Sequence, residues 1–338
     1  MMLIYREQLQ PSLSDFGILI PIYDSTVTAT FKSLIEDPRL GPTRDRWHIR
    51  DYPIDVAKDD LLRVHSPDYV ERLYSNELEA ELLKTFELLD FEGNYYRYDP
   101  SKAKYPLVNL FDRLIDGVAG TCACCREALV SGFCYTFTGG YHHAKYDTGD
   151  GFCVINDLVI AARRMQAEDR AKNIWIVDID AHKGDGTAPL CAGDSSIRTL
   201  SIHMADGWPL DRDPYLPDGS LHPSFVPSDV DIPIASGEEA DYVSRLDEGL
   251  RRMEAFGIPD LAIVVGGADP YEKDGLPSTA PLNLTLRQLD ERDHLVYRRL
   301  YELGIPQAWV KSGGYGAHVW EVFSQFLLWV IPERLGLS

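Results

Sequence analysis

The sequence predicts an α/β domain in which a mostly parallel central sheet is flanked by helices. The first observation is a series of short apolar runs, each of which ends in polar residues. The second is that the segments between these runs have the periodicity of amphipathic helices, so strands and helices alternate along the chain. The third is that the runs are apolar throughout, as expected of parallel strands buried on both faces.

Five runs are predicted as strands, and each leads directly into a polar or glycine-rich cluster. In chain order they are residues 133–138, 174–179, 199–203, 261–265 and 307–311. Helices are predicted between them, for example over residues 154–165 and 240–256. Ligands of parallel sheets bind beyond the carboxyl ends of the strands. We therefore expect the polar clusters to gather at one edge of the sheet and to form the active site there.

The composition limits the class of partner. The chain has 33 Lys and Arg against 53 Asp and Glu, a net charge of -20, which repels nucleic acids and anionic lipids. Such a surface suits cationic or neutral partners, although the charge could equally serve solubility alone. No apolar stretch approaches the roughly 20 residues of a membrane helix, and the N-terminus lacks the pattern of a signal peptide. We expect a cytoplasmic protein that binds neither nucleic acid nor membrane; its oligomeric state is left open.

Neither a repeat nor a linker-like run interrupts residues 1–338, so a single catalytic domain is predicted. Its six cysteines are too few for a disulfide scaffold and favour a reducing compartment. Cys122, Cys124 and Cys125 cluster as metal ligands do, but the apolar residues around them recur at helical spacing. Buried helix cysteines are the favoured interpretation, with a metal or redox role as the alternative.

A metal site is indicated by acids and a histidine that follow two of the predicted strands. Asp178, Asp180 and His182 alternate, which places them on one side of an extended segment. The alternative is a strand end that is merely capped by hydrogen-bonded acids. Asp269 adds a further carboxylate after the glycine pair at 266–267, where small residues permit a close approach. Asp180, His182 and Asp269 would form an open site with three ligands, as in catalytic zinc enzymes.

Candidate catalytic side chains lie beside this metal site. His142 and His143 follow two glycines, and a turn there would let both rings face the site. Asp178 and Asp185 are the acids that could orient them, which would make the pair a general base and an electrostatic partner. Tyr315, on the glycine-rich loop at 312–316, would supply a phenol that stabilises an oxyanion.

Together these segments resemble the histone deacetylase and acetylpolyamine amidohydrolase superfamily, with its arginase/deacetylase-like fold. The matching segments follow the family's order and span most of the chain. They are VHSPDYVERL (64–73), GGYHHAKYDTGDGFCVIND (139–157), VDIDAHKGDGT (177–187), LSIH (200–203), GGADPYEKDGL (266–276) and GGYG (313–316). No single segment is specific, but their conjunction is.

The resemblance implies a role for each matching residue. It implies zinc ligands Asp180, His182 and Asp269, the tandem pair His142 and His143 with acid partners Asp178 and Asp185, and the transition-state residue Tyr315. It implies that Gly151, Phe152 and Leu276 line a narrow acyl-lysine tunnel. It also implies a structural potassium ion, held by backbone carbonyls and side-chain oxygens of Asp178, Asp180, His182, Ser201 and Ile202.

The chain departs from the family pattern in places that bear on the substrate. Lys183 stands where many relatives carry a second histidine, and the loop at 207–220 differs from the one that usually closes the tunnel. Trp208 can substitute for an aromatic residue of that loop. Asp99 could be a rim carboxylate that grips a peptide backbone, but a plain turn is an equally good interpretation.

The expected reaction is zinc-dependent hydrolysis of an N-acyl amide, with acetyl-lysine or another small acyl-lysine in a protein or peptide as substrate. An acetylpolyamine amidohydrolase, acting on an acylated small amine, is the alternative. A catalytically inactive acyl-lysine binding protein is an alternative of a different class. An arginase-like site with two manganese ions is excluded, since Gly184 and Tyr271 stand where further carboxylates would be needed.

Overall fold

The computed structural model describes residues 2–7 and 11–337. Within this part of the chain, eight strands form one sheet in which every neighbouring pair is parallel, with the spatial order β2-β1-β3-β8-β7-β4-β5-β6. The strands are β1 (Leu3–Ile4), β2 (His48–Ile49), β3 (Phe133–Thr136), β4 (Ile174–Asp178), β5 (Ile197–Met204), β6 (Val230–Ile234), β7 (Leu261–Gly266) and β8 (Gln307–Lys311).

Helices pack on both faces of the sheet. They are α1 (Asp24–Glu36), α2 (Arg44–Trp47), α3 (Lys58–Leu62), α4 (Pro67–Leu73), α5 (Leu78–Thr85), α6 (Leu110–Ser131), α7 (Asp157–Ala167), α8 (Thr187–Cys191), α9 (Tyr242–Glu254), α10 (Leu286–Glu302) and α11 (Trp320–Leu335). No helix within residues 2–7 and 11–337 has both the length and the apolar character that crossing a membrane requires.

The strand β7 explains why the central runs are apolar throughout. Leu261, Ile263 and Val265 belong to the core on one side of the sheet. Ala262 and Val264, at the alternate positions, belong to the core on the other side. Both faces are therefore covered, as the sequence predicted for parallel strands.

The five predicted strands are confirmed with small shifts of their ends, and three further strands are present. The strands β1 and β2 contain two residues each, which is too short to leave a periodic signal. The strand β6 lies at the edge of the sheet, where Pro233 is tolerated because one side of an edge strand has no partner.

Two predicted helices are confirmed with shorter or shifted bounds. The helix α7 starts later than predicted because the Asn156 side chain accepts the N–H of Val159 at 3.1 Å and caps the helix there. The helix α9 spans Tyr242–Glu254 within the predicted range.

The prediction that the cysteine cluster is part of a buried helix is confirmed. Cys122, Cys124 and Cys125 lie in α6 and are fully buried. Burial raises the pKa of Cys122 to about 12 and raises those of Cys124 and Cys125 well above the ordinary value. These thiols therefore act as small apolar side chains.

Candidate metal and catalytic site

The strand β4 supplies three polar side chains where it leaves the sheet. Asp178 is its last residue, and Asp180 and His182 follow at alternate positions. Asp178 Oδ1 accepts the backbone N–H of Asp180 at 3.1 Å, and Asp180 Oδ1 accepts that of His182 at 3.0 Å. All three side chains are buried. These hydrogen bonds fix the segment, so the side chains are held in place before any ligand binds.

Asp269, from the loop after β7, completes a candidate metal site. His182 Nδ1 lies 3.0 Å from Asp269 Oδ2 and 3.4 Å from Asp180 Oδ1. One potential ligand atom from each of the three residues lies within 4.8 Å of the others. Among the described residues, no other group of three or more His, Cys, Asp or Glu side chains meets this condition. A capped strand end would not require Asp269, so the metal interpretation is favoured.

The electrostatics of this site fit a divalent cation. Burial and the charge of Asp180 raise the pKa of Asp269 to about 6. Two buried carboxylates at this spacing repel each other, and a divalent cation between them converts the repulsion into attraction. Two carboxylates and one imidazole are also a ligand set that zinc accepts.

Glycines make this close approach possible. A Cβ atom on Gly267 would lie 2.4 Å from Asp180 Oδ2, and one on Gly313 would lie 2.3 Å from Asp269 Oδ2. The N–H of Gly313 donates to Asp180 Oδ2 at 2.9 Å. The glycines that follow β7 and β8 are therefore required by the packing of the metal site.

The tandem histidines lie beside the three candidate ligands, on a turn formed by two glycines. Gly139 and Gly140 have φ values of 87° and 78°, which let the chain reverse before the histidines. His142 Nδ1 lies 2.7 Å from Asp178 Oδ2, and His143 Nδ1 lies 2.7 Å from Asp185 Oδ1. The two ring centroids are 3.9 Å apart.

The two histidines have opposite electrostatic environments. For His142, burial disfavours the charge, but Asp178 and Asp180 outweigh it and raise its pKa to about 9. For His143, burial and the neighbouring His142 charge lower the pKa to about 3, against the opposing effect of Asp185. These surroundings therefore favour a protonated His142 beside a neutral His143.

Tyr315 is held at the same site by its backbone. Its N–H donates to Asp274 Oδ2 at 2.7 Å, and its carbonyl accepts the N–H of Gly275 at 2.7 Å. The side chain is buried and lines the same cavity as the tandem histidines. Burial, followed by the charges of Asp269 and Asp180, raises the pKa of the phenol well above its ordinary value. The hydroxyl is therefore a proton-bearing donor at neutral pH.

A cavity of about 260 Å³ adjoins these residues, and the predicted tunnel residues stand in different relations to it. Gly151 and Phe152 line the cavity. The Trp208 ring lies 4.5 Å from the His143 ring and 5.4 Å from the His182 ring, measured between centroids. A Cβ atom on Gly151 would lie 2.3 Å from the Trp208 ring. Gly151 and Trp208 therefore meet beside the site, although Trp208 is not among the described residues that line the cavity.

Leu276 and Asp99 are not among the described residues that line this cavity. Leu276 is half-buried and precedes a short turn, where its N–H donates to Asp274 Oδ1 at 2.8 Å. Asp99 accepts the N–H of Ser101 at 3.1 Å and pairs with Lys102 at 3.0 Å. The geometry of Asp99 is that of a plain turn, which leaves its role as a rim carboxylate a prediction.

Comparison with known proteins decides the family. A model of the histone deacetylase domain matches residues 24–330. The chain belongs to the histone deacetylase family. Membership implies deacetylase-type hydrolysis of an amide.

Curated relatives of this histone deacetylase family member come from bacteria and plants. An uncharacterized protein of Picosynechococcus is 30% identical over 76% of the chain and 75% of the relative. Histone deacetylase 2 of Arabidopsis thaliana is 27% identical over 78% of the chain and 62% of the relative. The acetoin utilization protein AcuC of Staphylococcus aureus is 27% identical over 79% of the chain and 66% of the relative. The chain thus spans less than two thirds of the length of the latter two.

Three of the five positions that the family resemblance assigned to potassium lie on the neighbouring strands β4 and β5, and Asp180 and His182 follow β4. The register aligns Asp178 of β4 with Ser201 of β5. The Ser201 hydroxyl lies 3.5 Å from the N–H of Gly184 and 3.1 Å from His203 Nδ1. Ile202 is the next residue of β5 and is fully buried. The register therefore places Ser201 beside the end of β4.

Lys183, which departs from the family pattern, is buried in this deacetylase-family chain. Its Nζ lies 3.5 Å from Asp231 Oδ1 on β6, and Asp231 also lies 3.8 Å from His203 Nε2. The carboxylate partly compensates the lysine charge behind the metal ligands.

A supporting residue that sequence reasoning missed is Arg292 on α10. Its guanidinium is buried and donates to the carbonyls of Ile179 at 3.0 Å and Gly267 at 2.8 Å, while Asp293 accepts a third hydrogen bond at 2.8 Å. Arg292 thereby joins the two loops that carry the candidate metal ligands. Nothing in the sequence distinguishes Arg292 from the other arginines of α10.

Proposed function

We propose that this protein is a zinc-dependent hydrolase that removes acetyl or another small acyl group from the ε-amine of lysine. The observation that carries the proposal is one cluster in which three buried metal-ligand side chains adjoin two histidines, each held by its own carboxylate. Asp180, His182 and Asp269 would hold the zinc. Zinc bound there would polarise the scissile carbonyl and acidify water.

The tandem histidines divide the proton transfers. His143 works as the neutral base, because its Nδ1–H is held by Asp185 and its Nε2 is free. It takes a proton from the attacking water and passes it to the leaving amine as the C–N bond breaks. His142, held charged by Asp178, stabilises the negative charge that develops at the reacting centre.

Tyr315 stabilises the oxyanion. The carbonyl oxygen gains negative charge as water adds to the carbon, and the buried phenol can donate a hydrogen bond to it. Asp274 positions this tyrosine by accepting its backbone N–H, so the hydroxyl does not depend on a flexible loop for its placement. Losing one oxyanion donor typically costs about 10²–10³ in rate.

A structural potassium ion is proposed at the ends of β4 and β5. Backbone carbonyls and side-chain oxygens of Asp178, Asp180, His182, Ser201 and Ile202 would hold it. The support is the alignment of Asp178 with Ser201 in the register and the family resemblance. A monovalent cation there would steady the segment that carries two of the three zinc ligands.

Acyl-lysine is proposed as the substrate class, in a protein or peptide. Gly151 lies against the Trp208 ring and Phe152 lines the adjoining cavity, an arrangement that suits an unbranched aliphatic chain. Acetylated polyamines carry the same kind of chain and are the alternative. An inactive binding protein is disfavoured because the candidate ligands, both histidines and the tyrosine are all assembled.

We also propose a reducing compartment such as the cytoplasm. The support is that all six cysteines are free thiols.

A panel of amides tests the proposal. Zinc-loaded protein is incubated with acetyl-, lactyl- and longer acyl-lysine peptides, and in parallel with acetylated putrescine and spermidine. We expect release of free lysine side chains from at least one peptide, with the His143→Ala variant as the blank. Hydrolysis of the polyamines alone would identify the alternative substrate class. Zinc-loaded protein that hydrolyses none of these amides would overturn the proposal.

A further inference from the structure

The loop at 207–220, which departs from the family pattern, contributes two side chains near the active site. Trp208 packs its ring edge against His143. Arg212, four residues later, lies with its guanidinium carbon 5.6 Å from the centroid of the Trp208 ring. Trp208 thus lies beside the candidate catalytic histidine, whereas the Arg212 guanidinium reaches Asp150.

Arg212 joins this loop to the segment that carries Gly151 and Phe152. Its Nη1 donates to Asp150 Oδ2 at 2.7 Å and its Nη2 donates to Asp150 Oδ1 at 3.2 Å. Asp150 directly precedes Gly151, so the pair connects the Trp208 loop to the segment whose Gly151 and Phe152 line the cavity. Because the pair is bidentate and partly buried, it fixes the distance and the orientation between Arg212 and Asp150. An exposed ion pair would not do so.

Gly151 and the Trp208 ring pack closely against each other. A Cβ atom on Gly151 would approach the Trp208 ring to 2.3 Å and His143 Cδ2 to 2.7 Å. Phe152 has a φ of 66°, which is unusual for a residue with a side chain. A small displacement of the Trp208 loop would therefore open this contact beside the cavity.

Asp150 also belongs to a chain of alternating charges that reaches a catalytic histidine. Lys145 Nζ lies 2.7 Å from Asp150 Oδ2 and 2.8 Å from Asp185 Oδ2. Asp185 in turn holds His143. Lys145 would remain between the two acids if Arg212 were removed. Loss of Arg212 should therefore affect the position of Trp208 more than the proton transfers of His143.

We propose that Arg212 is a positioning residue that determines which acylated amines are bound, by clamping Trp208 against the Gly151–Phe152 segment through Asp150. The inference rests on the proposed function for its substrate, but the clamp itself is independent of catalysis. Without the Arg212–Asp150 pair, Trp208 moves away from Gly151, and the protein binds the unbranched chain of the substrate less tightly. The chemical step is largely spared, because Lys145 still pairs with Asp185, which holds His143.

A double-mutant cycle with a matched control tests this role. Arg198 and Asp229 form a similar pair at 2.7 Å, with side chains 27% and 21% exposed against 30% and 18% for Arg212 and Asp150. Arg198 also packs on an aromatic ring, that of Phe256. Arg198→Ala therefore removes the same kind of interaction away from the active site.

With an acetyl-lysine peptide, we expect Arg212→Ala to raise KM about tenfold while kcat stays within about threefold. Arg212→Lys should restore part of the affinity, since one hydrogen bond to Asp150 survives. The Arg212→Ala and Trp208→Ala double variant should have the KM of Trp208→Ala alone. Equal KM changes in Arg212→Ala and Arg198→Ala would overturn the proposal. So would a double variant in which the KM increases of Arg212→Ala and Trp208→Ala multiply.

Amide hydrogen exchange separates the clamp from the proposed function. Exchange in residues 207–212 should become faster in Arg212→Ala and remain unchanged in Arg198→Ala. If wild-type protein hydrolyses no amide but this difference in exchange is seen, the proposed function fails and the clamp stands. Unchanged exchange in Arg212→Ala would overturn the clamp whatever the activity.

Discussion

At the scale of single residues, the active site depends on pairing each histidine with a different acid. Asp178 and Asp185 both accept a hydrogen bond from an imidazole at 2.7 Å, yet only His142 acquires a raised pKa. The difference arises because Asp180 also acts on His142, while His143 experiences burial and the positive charge of its neighbour. Adjacent residues of the same type thus have different protonation states because of what surrounds them.

The first prediction concerns the order of importance of these histidines. His143→Ala should abolish the main turnover, since it removes both base and acid. His142→Ala should lower kcat by a smaller factor, because it removes a stabilising charge. Steady-state kinetics with zinc content measured in both variants provides the check. A dead His142→Ala variant beside an active His143→Ala variant, with zinc retained in both, would mean that the roles are reversed.

The second prediction concerns the tyrosine. Tyr315→Phe should lower kcat by about two orders of magnitude, because an oxyanion donor is lost while the packing of the ring is kept. Zinc content and the free energy of unfolding should stay unchanged, since the loop is held by backbone hydrogen bonds. Tyr301→Phe, at the exposed end of α10, is the matched control. Wild-type turnover in Tyr315→Phe would contradict the assigned role.

At the scale of helices and strands, a charge cluster at the end of α7 fastens that helix to α6. The Glu168 carboxylate accepts three hydrogen bonds from arginines. The donors are Arg126 Nε at 3.1 Å, Arg164 Nε at 3.1 Å and Arg170 Nε at 2.8 Å. These arginines, Arg126 foremost, lower the pKa of Glu168 from 4.5 to about 2. The carboxylate therefore stabilises the folded state only while it is ionised.

The third prediction follows from the sign of this shift. The contribution of Glu168 is fully present above pH 4.5 and is lost as the pH falls toward 2. Glu168→Gln should lower the free energy of unfolding at pH 7 by about 1 kcal/mol, a value reduced for the partial exposure of the side chain. The difference from wild type should shrink below pH 4.5 in denaturant titrations.

Glu291→Gln is the control for this prediction, since Glu291 pairs with Arg287 on the exposed face of α10. It should change stability little at either pH. A Glu168→Gln difference that is absent at pH 7, or that grows on acidification, would contradict the assignment.

The sequence predicted the centre of the sheet well and its edges poorly, for physical reasons. The central strands are buried on both faces and leave long apolar runs. The strands β1 and β2 owe their place to neighbours distant in sequence, and so leave no local pattern. Two of the candidate metal ligands were predictable because Asp180 and His182 continue an alternation that starts at Asp178, the last residue of β4. The bonds of Arg292 to Ile179 and Gly267 depend on tertiary packing, which spacing along the chain does not encode.

At the scale of the whole molecule, the parallel sheet brings every component of the site to the carboxyl ends of its central strands. The strands β3, β4, β7 and β8 are neighbours, and the loops after them carry the histidines, two ligands, the third ligand and the tyrosine in turn. The family match over residues 24–330 covers all of these loops. The central claim is therefore that one metal ion at these strand ends serves one hydrolytic centre.

Zinc titration tests this claim most directly. Protein stripped by a chelator receives increasing zinc while amine release from the best acyl-lysine peptide is followed. Because the three candidate ligands form one cluster, activity should rise linearly and reach its plateau at about one equivalent of zinc per chain. Asp269→Asn should shift the plateau to much higher zinc. Full activity in the stripped protein, or a plateau at about two equivalents, would contradict a single-metal hydrolase.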